Sequence, residues 1–206
     1  MQSKKGTPKM NLQQKKDNSF LATEPLGRLL LKLSLPTVTA QVINMLYNIV
    51  DRIYIGHIPE TGALALTGVG VCMPLIMIVS AFAALVGNGG APRASIFMGK
   101  GDKESAEQTL GNCFTTQIVV SLLLTLILFT GNKSFLMALG ASENTIPYAV
   151  AYMNIYSLGT IFVQLTLGMN AFITAQGFAK TSMLSVLVGA ASNIILDPIF
   201  IFALHM

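Results

Sequence analysis

Residues 35–55 read LPTVTAQVINMLYNIVDRIYI, an apolar run that carries one acid and a row of amides. Its polar positions Thr37, Gln41, Asn44, Asn48 and Asp51 are spaced by 4, 3, 4 and 3 residues, which places them on one stripe of a helix with 3.6 residues per turn. At ~1.5 Å per residue the run extends about 31 Å, which matches a bilayer hydrocarbon core of about 30 Å. The stretch is therefore expected to cross a membrane. An ionised carboxylate facing lipid costs on the order of 2.5–3.5 kcal/mol, so Asp51 and its stripe must face other helices or a water-filled cavity.

The rest of the chain has the same character. Of 206 residues 52% are apolar and 11% charged, with a mean hydropathy of +0.63, far from the quarter charged of soluble domains. Five apolar spans emerge, at about 35–55, 64–86, 110–130, 148–173 and 182–204. The expected class is all-α, a polytopic membrane helix bundle. The odd number of spans, and a chain that stops at Ala203-Leu204-His205-Met206 without a polar tail, suggest a piece of a longer protein.

Lys and Arg resist translocation, and a cytoplasmic N-terminus leaves 11 of the 13 on the inner side, with Arg52 and Lys133 near the outside. Residues 1–23 read as a disordered, basic cytosolic tail, without the short apolar core and cleavage site of a signal peptide. The net charge of +4 does not indicate nucleic acid, because the basic residues flank spans and no binding motif accompanies them. Cys72 and Cys113 lie inside spans and read as small packing residues.

Several local readings follow. Residues 24–34 (EPLGRLLLKLS) are expected to form a short interfacial lead-in, with Pro36 at the start of the first span. Residues 56–62 (GHIPETG) form an outer turn. Gly68, Gly70 and Pro74 suit close helix packing and a kink. The glycine-rich stretch 87–101 is read as the inner loop; it matches neither GxGxxG nor a phosphate-binding lysine pattern. Asp102 and Thr181 are the expected N-caps of the helices that follow. Asn132-Lys133-Ser134 matches a glycosylation sequon by composition, a frequent coincidence. The fourth span is unusually polar, with Tyr152, Asn154, Tyr156, Gln164 and Asn170, and Met73, Met77, Met153 and Met169 are candidates to line a plastic pocket.

The last span holds the complement to Asp51. Asn193 and Asp197 are spaced i, i+4 and so share a face, and Pro198 kinks the helix next to them. The first and last spans run in the same direction, and each acid lies 16 residues past its span's inner boundary, roughly 24 Å deep. The two acids inside spans are thus expected at one level, with Asn193, Asn48 and Asn44 nearby in height. Two carboxylates in a dry setting repel, and either a proton or a small hard cation held by several oxygens relieves them.

These residues resemble the multidrug and toxic compound extrusion (MATE) family of cation-coupled antiporters. The likeness runs through Leu33-Ser34-Leu35-Pro36, Val50-Asp51-Arg52 with Gly56, Gly99-Lys100-Gly101-Asp102 and Asn193-Ile194-Ile195-Leu196-Asp197-Pro198, and is strongest toward the MepA-like branch of bacterial drug exporters. The resemblance implies five of the six helices of an N-terminal lobe. It also implies a cation site at Asp51, Asn193 and Asp197, which would be metal ligands under sodium coupling, with Tyr152 beside them. Gln41, Asn44, Asn48, Asn154 and Gln164 are the supporting or substrate-cavity candidates. No cofactor is implied beyond the coupling ion, H⁺ or Na⁺.

The expected function is cation-coupled export of amphipathic or cationic small molecules from the cell membrane, with an absent C-terminal lobe needed for transport and the half inactive alone. A lipid-linked precursor flippase of the same superfamily would want a basic central cavity, whereas Lys and Arg here avoid span interiors. An intramembrane enzyme would need a nucleophile and base or a metal site, yet the two histidines, His57 and His205, lie at outer ends. A structural membrane subunit would show no cation-dependent stability.

Overall fold

The computed structural model describes residues 24–203. They form five long helices: α1 (Leu26–Gly56), α2 (Gly62–Gly99), α3 (Lys103–Ala138), α4 (Ile146–Ala175) and α5 (Ala179–Pro198), the last followed by a π-helical turn, Ile199–Ala203. No strand occurs among the described residues. All five helices are long and apolar enough to cross a bilayer, as the five spans anticipated. The tail assigned to residues 1–23, and Leu204 at the end of the last span, lie outside the described residues.

The helices overrun the expected spans, for identifiable reasons. Residues 24–34 are not a separate lead-in, because the leucine-rich segment is a strong helix former and continues unbroken into α1. Pro36 consequently sits inside the helix rather than at its start, and the hydroxyls of Thr37 and Thr39 donate to the carbonyls of Leu33 and Leu35 at 2.9 and 2.8 Å. A Lys32–Glu24 ion pair of 2.9 Å closes the entrance to α1.

The inner loop placed at 87–101 is likewise helical as far as Gly99, leaving only residues 100–102 as a turn, with Gly101 in the left-handed region at φ +77. The glycines before it serve packing. A Cβ on Gly87 would lie 2.8 Å from the carbonyl oxygen of Gly168, and one on Gly90 would strike Cys113 and Phe172. Helix backbones meet where those side chains are missing, as in other membrane bundles. Asp102 is an N-cap, accepting from the backbone N–H of Ser105 at 3.1 Å. Thr181 is not: α5 begins two residues earlier, after Phe178, because Gly177 at φ +89 completes the turn by itself.

The bundle divides into two parts. Helices α2, α3 and α4 pack together as a triad, while α1 pairs with α5 and rests more lightly on α2, as α5 does on α4. Within the triad, one apolar cluster gathers Cys72, Leu75, Val79, Leu124, Leu128 and Met153, and a smaller one gathers Ala91, Ala94 and Phe172. A buried polar layer of Gln117, Ser121, Thr160 and Gln164 lies between them in sequence register. Side chains also bond across to neighbouring backbones, as in Thr125 Oγ1 to Ser157 O at 2.9 Å and Ser95 Oγ to Ala175 O at 3.3 Å. Cys72 and Cys113 are free thiols, and Asn132 of the sequon is buried with its amide donating to Asn154 Oδ1 at 2.6 Å.

Two expectations follow. Gly87→Ala should destabilise the fold by roughly 1–3 kcal/mol in thermal unfolding, since backbone must move to admit the methyl. Gly89→Ala, with nothing within 4 Å of its Cβ, should be neutral or stabilising; equal losses at both positions would refute the close-approach reading. At the cap, the hydrogen bonds from Ser105 hold the Asp102 carboxyl below the usual carboxylate range. The cap's contribution is then full above the unfolded-state value and is lost as pH falls through the lower folded value. Asp102→Ala should lower the melting temperature at neutral pH and make no difference in strong acid; an undiminished gap in acid would contradict the cap.

Candidate functional site

The pairing of α1 with α5 sets the geometry of the polar residues. Asp51 lies in the penultimate turn of α1 and Asp197 at the end of α5, next to Pro198. Both are half-buried, and Asp51 lies close enough to Asp197 for the two carboxylates to interact electrostatically. Asn193, one turn before Asp197, is also half-buried. Asn193 Oδ1 and Asp197 Oδ2 are buried oxygens without a hydrogen-bond partner among the described residues.

The triad presents aromatic residues to this group. Tyr152 of α4 interacts electrostatically with Asp51, and its ring stacks on Tyr156 with centroids 6.2 Å apart and planes at 14°. Tyr47 of α1 lies within the same range of both phenols. The hydroxyl oxygen of Tyr156 is another buried atom with no partner among the described residues. Tyr47 and Tyr156 were not singled out as site residues from the sequence. The signal was present: Tyr47 stands four residues before Asp51, and Tyr156 four after Tyr152, so each shares a helix face with a residue that was.

The supporting candidates separate. On α1, Asn44 is half-buried, whereas Gln41 and Asn48 are exposed, and the Asn48 amide donates to the carbonyl of Asn44 on its own helix at 2.7 Å. Asn154 ties α4 to α3 through Asn132. Gln164 does not belong to the group at all. It lies about 18 Å along α4 from Tyr152, fully buried, and donates to the carbonyl of Val79 at 2.9 Å. The methionines do not share a pocket either: Met153 is fully buried in the larger apolar cluster, Met169 packs on the Phe172 cluster and Met77 is 69% exposed. Arg52 is exposed beside Asp51.

A cavity of about 400 Å³ opens at the opposite end of the triad, between Ala94, Leu110 and Phe172 and rimmed by Lys103, Glu107 and Gln176. It takes in neither carboxylate.

The donors gathered around Asp51 and Asp197 are all oxygens: two carboxylates, an amide oxygen and phenols. Such a set suits a proton or a hard monovalent cation, which favours several oxygen ligands over nitrogen or sulfur. Among the described residues, no group of three His, Cys, Asp or Glu assembles that could hold a metal ion without the amide or phenols.

The MatE family profile matches residues 36–199. The chain is 27% identical over 187 residues to the multidrug export protein MepA of Staphylococcus haemolyticus, covering 91% of this chain and 41% of that protein. It is 25% identical to an FAD transporter of Shewanella oneidensis, covering 92% and 41%. Among solved structures, a MATE protein in complex with MaD5 superposes with a TM-score of 0.83 at 25% identity, over 92% of this chain and 42% of that one. An outward-facing multidrug resistance MATE transporter of the MOP superfamily gives 0.79 at 26%, over 85% and 38%. The chain thus spans about two fifths of the length of these relatives, which are transporters. From residue 36 to 199, through both carboxylate-bearing helices, it belongs to the MatE family and is a multi-pass membrane protein.

Proposed function

We propose that the chain is the N-terminal lobe of a cation-coupled efflux antiporter, held in the cell membrane with its N-terminus in the cytoplasm. The observation that carries this reading is the electrostatic proximity of Asp51 and Asp197, next to buried oxygens of Asn193 and Asp197 that no protein donor meets. Two carboxylates near each other in a poorly solvated place are stable together only when one positive charge is shared between them. A proton or Na⁺ meets that requirement. Asp51 and Asp197 would supply the charge, Asn193 a neutral oxygen, and Tyr152 would border the site.

The coupling follows from the position of the acids on the two helices that rest lightly on the triad. A bound cation draws α1 and α5 together; release restores repulsion and favours a looser packing. In a two-lobed transporter this difference biases the rocking of one lobe against the other, and a lobe with nothing to rock against binds the ion without exporting anything. The MepA relatives are multidrug export proteins, which supports small molecules as cargo, and amphipathic or cationic compounds are the class proposed for it. The exclusion of Lys and Arg from span interiors argues against a phosphate-bearing lipid precursor.

The test uses the chain in detergent, unfolded by heat in sodium and in choline chloride and across pH. Sodium or acidification should raise the melting temperature, by roughly 5–10 °C at a hundredfold excess over Kd, and Asp51→Asn or Asp197→Asn should abolish the response. A response that persists in both variants, or no response to either ion, would refute the site. In a two-lobed transporter carrying this segment, the same substitutions should stop gradient-driven export.

A further inference from the structure

The polar layer between the triad's two apolar clusters is separate from the carboxylate group. Gln117 on α3 and Gln164 on α4 are both 0% exposed. Each donates its amide to a carbonyl of α2: Gln117 Nε2 to Ala83 O at 3.1 Å and Gln164 Nε2 to Val79 O at 2.9 Å. Carbonyls four residues apart stand about 6 Å from one another along a helix. The amide of Gln117 rests on the backbone of Gly168, where any Cβ would collide with it, and Gly168 is one turn from Gln164. The two amides therefore lie within about one helical turn of each other.

Their acceptors are the unexplained part. Gln117 Oε1 and Gln164 Oε1 are buried and meet no donor among the described residues. The hydroxyls of the layer are committed elsewhere, Ser121 to the carbonyl of Ile118 at 2.7 Å and Thr160 to that of Tyr156 at 3.2 Å. Each carboxamide nitrogen keeps a second N–H, yet neither Oε1 meets a donor in this arrangement. Inside a bilayer such oxygens are especially costly, because bulk water does not reach them. Two leucines would fill the same positions without that cost.

We propose that the α2–α3–α4 triad contains an internal binding site for a neutral hydrogen-bond donor, one or two water molecules held between Gln117 Oε1 and Gln164 Oε1. Water supplies two donors, and with about 2.8 Å on each side one or two molecules span amides a turn apart. A bare cation is disfavoured. No acid occurs in α2 or α4, and the acids of α3, Glu104 and Glu107, lie in its first turns, so an ion in the layer would be an uncompensated charge in a low-dielectric interior.

The direct test is a high-resolution structure of the unmodified chain in a lipid nanodisc. One or two ordered density peaks within hydrogen-bonding distance of the two Oε1 atoms are expected; an empty layer, or amides turned so that both oxygens meet protein donors, would overturn the proposal. A thermal-unfolding cycle adds a second readout. Gln117→Leu and Gln164→Leu should each shift the melting temperature by a few degrees, and the double variant should differ from the sum, because both lose the same water. Strict additivity would overturn a shared site. A melting temperature that rises with sodium in an Asp51→Asn, Asp197→Asn background, and ceases to rise on adding the glutamine substitutions, would make the ligand a cation and overturn water.

Discussion

The bilayer cannot solvate an ionised carboxylate, and that constraint organises this chain. Asp51 and Asp197 belong to α1 and α5, the two helices that pack on each other rather than into the triad. Set apart, each acid would face hydrocarbon or be buried alone; brought together, they form a pair whose repulsion, on the reading proposed above, one shared cation would relieve. The loop lengths serve this arrangement. Tight turns join α2, α3 and α4 into a sequential bundle, which brings the fifth helix back beside the first.

The triad is built differently. Glycines let its backbones touch, as at Gly87 and Gly168, and polar side chains bond across to neighbouring carbonyls. Each such bond contributes on the order of 0.6 kcal/mol in a membrane protein, so several of them lock the triad by accumulation. The α1–α5 pair is tied to the triad by a hydrogen bond from Thr174 to Ser182 at 3.1 Å, and Tyr47 of α1 interacts electrostatically with Tyr152 and Tyr156 of α4. The carboxylates therefore lie on the helix pair that rests lightly on the triad.

Much of this was legible in the sequence, because hydropathy and helical spacing are local properties. The five apolar helices, the turn at 56–62 and the Asp102 cap all follow from counting residues. What was not legible is what a given face meets. Gly87 and Gly90 look like chain breakers until α4 and α3 are placed against them. Gln164 shares a polar helix with Tyr152, yet its side looks into α2. Pro36 read as a helix start because proline is common there, but an uninterrupted leucine-rich segment before it decided otherwise. Periodicity groups residues into stripes, and only tertiary packing assigns each stripe a partner.

The most direct measurement is cross-linking in native membranes of a chain carrying Asp51→Cys and Asp197→Cys, with Cys72 and Cys113 replaced by alanine. A short bifunctional thiol reagent should join positions 51 and 197 efficiently, and should fail when Lys180→Cys, at the far end of α5, replaces the partner on that helix. Failure at 51 and 197, or equal reaction with position 180, would contradict the pairing of the two acids at one level of the membrane.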